Sequence, residues 1–184
     1  ANIDVVTSKE PTDGPWGKLI RRSTTEGRMP LEEELRAFIA DRREHLESLV
    51  APALSAGKVV ILDRYYFSTI SYQGASGACK EELKTSMEEL ALIPDISFIV
   101  DVPLEVSKER ILVRDGFVNH FENISYLAEV RKVYKWLCSV DENLLEIDGS
   151  LPIDVVHSSI LKLLIDGPLK EKRCFKDYGC DSYP

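Results

Sequence analysis

The apolar run Val59-Val60-Ile61-Leu62 ends in Asp63-Arg64, followed by Tyr65, Ser68, Thr69, Tyr72 and Gln73. An aspartate can hold Mg2+ through water, and an arginine can grip a phosphate with two parallel hydrogen bonds. Ser68 and Thr69 add hydroxyls, and Gln73 offers a donor and an acceptor together. The same polar residues could instead serve a helix cap and a surface turn.

Three further groups could take part. Leu31, Leu35, Phe38, Ile39, Leu46, Leu49 and Val50 form an apolar stripe at helical spacing, and Arg42 falls on it four residues after Phe38. A charge on a buried face needs a partner. That partner is either a buried carboxylate, with Phe38 as ordinary core, or a ligand. Glu10 sits in the turn-rich segment Lys9–Pro15, as a solvated carboxylate or as part of a site. Lys108, Arg110 and Arg114 precede a loop around Gly116. By themselves they read as a basic surface helix. His45 and His157 match no ligand spacing and read as structural. Cys79, Cys138, Cys174 and Cys180 match no zinc pattern and read as reduced thiols, with a Cys174–Cys180 bridge as the minor alternative.

Elements to position these residues follow from the pattern. Strands are predicted at Ile3–Thr7, Val59–Leu62, Ile96–Val102 and Leu144–Ile147. Helices are predicted at Trp16–Arg22 and from Pro30 to about Val50, resuming after Pro52 toward Gly57. Further helices are predicted at Phe67–Tyr72, Lys80–Leu92, Leu104–Arg114, Ile124–Val140 and Ile153–Leu164. Ser23–Met29 reads as a loop. Alternating strands and helices predict an α/β fold, a doubly wound parallel sheet with helices on both faces. Asp63-Arg64 then lies at a strand's carboxyl end, where open α/β sheets bind ligands. Residues 1–166 form one domain, and 167–184 a polar C-terminal extension.

The 184 residues suffice for one domain with a core, and the net charge of −8 opposes a sequence-independent nucleic-acid binder. No apolar run approaches the ~20 residues that span a bilayer. A cytoplasmic protein with no membrane or nucleic-acid partner is expected.

The Asp63-Arg64-Tyr65, Ser68, Thr69, Tyr72-Gln73 series resembles the signature of thymidylate kinases. Phe38 and Arg42, Pro52, and Lys9-Glu10-Pro11 with Gly14-Pro15, Gly17 and Ile20-Arg21 extend the likeness over about residues 3–164. The resemblance implies a nucleoside monophosphate kinase fold of the phosphate-loop type. It implies transfer of the ATP γ-phosphoryl to dTMP with Mg2+, and a homodimer. Phe38 would stack on thymine, Arg42 donate to a ring carbonyl, Gln73 meet the pyrimidine edge, and Ser68, Thr69 and Tyr72 flank the nucleoside. Tyr72 would exclude a 2′-hydroxyl. Arg21 and Arg64 would take the monophosphate, Glu10 would lie near the sugar and metal, and Asp63 would hold Mg2+ through water. Asp63, Arg64, Arg110 and Arg114 would carry catalysis, the last two from a lid. Lys9 replaces the family's usual arginine, and His120 replaces another in Asn119-His120-Phe121-Glu122.

The sequence has no G-x-x-x-x-G-K-[ST] to cradle ATP phosphates. In the resembled family that loop follows a first, central strand, and this chain opens at the second. The expectations are a missing first βα unit upstream of Ala1, an unfilled slot between the Val59 and Ile96 strands, and little kinase activity or stability without that unit. The alternatives are a non-catalytic nucleotide-binding module or a related pyrimidine deoxynucleotide or deoxynucleoside kinase.

Overall fold

Short apolar runs become four five-residue strands in the computed structural model, which describes residues 3–115 and 124–170, the side chains of Thr25, Arg114 and Asp115 excepted. They are β1 (Val5–Lys9), β2 (Val59–Asp63), β3 (Ser97–Asp101) and β4 (Leu144–Asp148). β1 pairs in parallel with β2, setting Val5 opposite Val59 and Lys9 opposite Asp63. β3 pairs in parallel with β4, setting Ser97 opposite Leu144 and Asp101 opposite Asp148. Among the described residues these are two separate two-stranded sheets. β2 and β3 share no ladder among the described residues. Ile61 and Val100 are left 49 % and 52 % exposed, unusual for apolar residues of parallel strands.

The helices are α1 (Pro15–Glu26), α2 (Leu31–His45), α3 (Ala51–Ser55), α4 (Tyr66–Ala75), α5 (Lys80–Leu90), α6 (Leu104–Asp115), α7 (Ile124–Val140) and α8 (Ile153–Asp166). α1 runs one turn beyond its predicted end into the segment read as a loop. Ser23 and Thr24 stay helical by donating back to the carbonyls of Ile20 (2.8 Å) and Arg21 (2.7 Å). The stop comes at Gly27, whose φ of 127° suits glycine alone. α2 opens with Glu32, Glu33 and Glu34, which oppose its dipole. It does not break before Pro52. Leu46–Val50 widens into a π-helical turn that leads directly into α3. The wide turn accommodates a residue that has no N–H to give.

The core gathers where α4, α5 and α7 meet: Tyr66, Ile70, Met87 and Leu137 are at most 1 % exposed, and Leu144 of β4 joins them. α8 buries none of its residues. The loop at 116–123, with Asn119, His120, Phe121 and Glu122, lies outside the described residues. So do residues 171–184 with Cys174 and Cys180.

Candidate functional site

At the carboxyl end of β2 the backbone reverses. Arg64 adopts φ +65°, a left-handed conformation costing a non-glycine residue roughly 1–2 kcal/mol. The Asp63 carbonyl accepts from the Glu10 N–H at 3.0 Å, which ties the β1 exit to the same corner. α4 starts two residues later, so Ser68, Thr69 and Tyr72 share one helical face. The Arg64 guanidinium lies 5.4 Å from the centre of the Tyr72 ring.

A cavity of about 340 Å³ opens beside this corner. Seven residues singled out in the sequence line it: Glu10, Arg21, Phe38, Arg64, Ser68, Thr69 and Tyr72. The volume falls within the ~300–1,000 Å³ usual for small-molecule sites. Sequence reasoning missed four other lining groups, Thr24, Ser107, Ile111 and Leu127. Ser107 and Ile111 come from α6, which also carries the basic residues Lys108 and Arg110.

Arg42 does not line the cavity; it lies behind the wall, 3 % exposed. Its Nε and Nη2 donate to Glu10 Oε2 at 3.0 and 2.7 Å. Nη2 also donates to Thr69 Oγ1 at 3.0 Å, and Nη1 to the Met87 sulfur at 3.3 Å. The buried-carboxylate alternative therefore describes this state, and its carboxylate is Glu10, itself 5 % exposed. Glu10 Oε1 accepts from His45 Nδ1 at 3.1 Å, and Ser8 Oγ lies 2.8 Å from His45 Nε2. Both Glu10 oxygens are thus engaged by Arg42 and His45 within the protein. His45 was read as structural, yet it shares the Arg42 face three residues on, and that spacing was the available signal.

Asp41, four residues before His45 on the buried side of α2, shapes the same corner. It accepts from the Thr12 N–H (2.8 Å) and Thr12 Oγ1 (2.6 Å), fixing the Pro11–Thr12 segment. Gly17 lets α1 lie against that segment; a Cβ there would overlap the Thr12 carbonyl. Arg21 donates to the Pro11 carbonyl (2.8 Å) and to Asp13 (2.9 Å) and still lines the cavity.

Gln73 is fully buried, and neither polar atom of its carboxamide has a hydrogen-bond partner among the described residues. Such an orphan costs about 1–3 kcal/mol and calls for a ligand or a water. Ser68 Oγ lies 2.9 Å from Tyr134 OH, whose phenol is pushed up to about 12 by burial and so stays protonated. Asp63 is exposed at the strand end. Among the described residues no cluster of three or more His, Cys, Asp or Glu could hold a metal ion. Arg110 is not among the lining residues and donates to the Gly149 carbonyl at 3.0 Å. The Arg114 side chain lies outside the described residues.

A second anchor lies at the carboxyl end of β3. Arg131 donates twice to Asp101, at 2.7 Å each, and Lys135 adds a 2.9 Å ion pair. The Arg131 hydrogen bonds hold the Asp101 carboxyl down at about 2. A depressed carboxyl stabilises the fold above its unfolded value of ~3.9, and that contribution is lost as pH falls toward 2. Asp101→Asn is therefore expected to flatten the acid limb of the stability curve between about pH 4 and pH 2. Urea melts across that range check this, and an unchanged limb would refute it.

Parallel strands alternating with helices, and two arginines and an aromatic face around a cavity at a strand's carboxyl end, are the arrangement of an α/β nucleotide-binding class. Within it, the thymidylate kinase family model matches residues 1–160, and the chain belongs to that family. A thymidylate kinase of Akkermansia muciniphila is 43 % identical over 144 residues, 76 % of this chain and 69 % of that protein. One of Xylella fastidiosa is 38 % identical over 164 residues, 89 % of this chain and 74 % of that protein. One of Xanthomonas euvesicatoria is 39 % identical over 170 residues, 90 % and 74 % of the two chains. Among the described residues no helix is long and apolar enough to cross a membrane.

Proposed function

We propose that the chain acts on dTMP, as acceptor of the ATP γ-phosphoryl group, and that the cavity beside β2 is the acceptor site. The observation that supports this best is the convergence of Phe38, Arg64, Arg21, Ser68, Thr69 and Tyr72 on one cavity, from segments distant in the sequence. Arg64 and Arg21 hold the monophosphate, Phe38 takes the base on its face, and Tyr72 packs against the sugar. The orphaned Gln73 carboxamide offers a donor and an acceptor to the pyrimidine edge. Arg42 has spent four of its five N–H groups on Glu10, Thr69 and Met87. Because Arg42 lies behind the wall, it supports the site through Glu10 and Thr69, both of which line the cavity.

Mg2+ fits the corner through Asp63 alone. Magnesium keeps most of its waters and takes one or two carboxylates alongside substrate phosphates, so a lone exposed aspartate is sufficient protein ligation. When bound, the ion offsets the charge that develops on the transferring group. The remaining work of these side chains is alignment of the acceptor phosphate. A phosphate loop of the form G-x-x-x-x-G-K-[ST], absent from the 184 residues, serves ATP in enzymes of this kind. The reading includes a cytoplasmic homodimer that uses free nucleotides; the net charge of −8 opposes nucleic acid as partner. Residues 167–184 are read as an appendage to the kinase domain.

Titration calorimetry with dTMP and dCMP tests the assignment. The expected result is dTMP binding at least about 10-fold tighter than dCMP, because a carbonyl-directed donor rejects an amino group. Equal affinity for the two would overturn the base contacts, and no dTMP binding would overturn the acceptor site.

A further inference from the structure

Arg28, between α1 and α2, joins segments that are remote in sequence. Its Nε and Nη2 donate to Glu34 Oε2 at 3.2 and 3.0 Å. Nη2 also donates to Ser76 Oγ (2.6 Å) and Tyr126 OH (3.1 Å), and the guanidinium packs 5.1 Å over the Tyr126 ring. Tyr126 OH in turn donates to the main-chain carbonyl of Tyr72 at 2.6 Å, and Ser76 Oγ reaches the same carbonyl at 2.8 Å. That carbonyl sits in the last turn of α4, where helical partners run out. The Tyr72 and Tyr126 rings meet edge to face, 6.1 Å apart.

Packing alone does not account for this cluster. Glu34 is fully buried, and its Oε1 has no partner among the described residues. A buried, incompletely satisfied ion pair is often less stable than apolar side chains of the same size. What the cluster does do is fix Tyr72, and Tyr72 lines the cavity while its ring carries the Arg64 guanidinium. Leu127, next to Tyr126, lines the cavity too. The first turn of α7 is thereby fastened to the wall of the site.

We propose that Arg28, Glu34 and Tyr126 form a latch of positioning residues that sets Tyr72, and through it Arg64, for the bound nucleoside monophosphate. The proposal rests on the acceptor-site reading above. None of the three need touch the nucleotide. They act through the main chain of Tyr72 and through the ring that supports the phosphate-gripping arginine. Small displacements of a positioning group are amplified in binding and alignment, so the latch should register in affinity and selectivity more than in stability.

Tyr126→Phe isolates the latch, because it removes one hydroxyl and keeps the ring. In calorimetry on the whole chain, the dTMP Kd should rise roughly 3- to 10-fold, the range of one hydrogen bond. The preference for dTMP over its ribose counterpart should fall, while the melting temperature stays within a few degrees. Arg28→Lys, which keeps the charge and loses the fork, should fall between wild type and Arg28→Ala. A purely structural cluster would lower the melting temperature and leave the deoxyribose preference intact, which would overturn the proposal. Phe38→Ala separates the two readings. If it weakens dTMP binding and Tyr126→Phe does not, the acceptor site stands and the latch falls. If neither variant changes the Kd, both fall.

Discussion

Arg64→Ala is expected to weaken dTMP binding about 10- to 100-fold, the loss of charge-assisted hydrogen bonds worth ~1.5–3 kcal/mol. The side chain is held at the mouth of the site by the Tyr72 ring and lines the cavity. It engages no carboxylate at ion-pair distance among the described pairs, so its charge is available to a phosphate. Arg64→Lys should recover part of the affinity, since a point charge remains but the planar fork does not. The fold should tolerate either change, because the guanidinium contributes little to the core. Calorimetry with dTMP decides the matter. A Kd within twofold of wild type would mean that Arg64 is not the phosphate grip, and the reading of the Asp63-Arg64 pair would fail with it.

The second large effect belongs to Glu10, and it should appear in stability. Removing this carboxylate leaves the Arg42 guanidinium buried at 3 % exposure without its counter-charge, and His45 without its acceptor. Breaking one side of a buried pair costs about 3–5 kcal/mol. For a chain of this size that is a fall in melting temperature of roughly 6–20 °C. Glu10→Ala should show the fall in a thermal melt. The double variant Glu10→Ala, Arg42→Met should recover much of it, because no unpaired charge remains. The two changes are then strongly non-additive, as expected for residues in one network. A melt of Glu10→Ala within about 2 °C of wild type would show that water reaches Arg42 and that the pair is not a structural keystone.

Both predictions concern residues that were visible in the sequence, but not equally so. Asp63-Arg64 at the end of an apolar run required only the rule that parallel strands present ligands at their carboxyl ends. Arg42 announced itself as a charge on an apolar stripe, yet the stripe could not say which carboxylate would meet it. Glu10 lies 32 positions away, just past β1, and only the tertiary packing of that corner against α2 brings the two together. Strand positions were legible to within two residues because β-branched runs between turn signals leave little latitude. The extra turn of α1 was not, because Ser23 and Thr24 favour loops unless their hydroxyls bond back to the helix. The continuous passage from α2 into α3 was hidden by Pro52, which normally marks a break and here follows a widened turn. Arg110 was singled out only by resemblance, and nothing in its own spacing foretold the hydrogen bond that it gives the Gly149 carbonyl.

The left-handed backbone at Arg64 sets stability and binding against each other at a single position. Glycine would relax that conformation by about 1 kcal/mol, and it would also delete the guanidinium from the site. A search for hardier variants by melting temperature alone would reward such a change, and the variant it selected would have lost its grip on phosphate. Position 64 is thus one where thermal robustness is a misleading proxy for fitness, because the arginine is kept there against local preference.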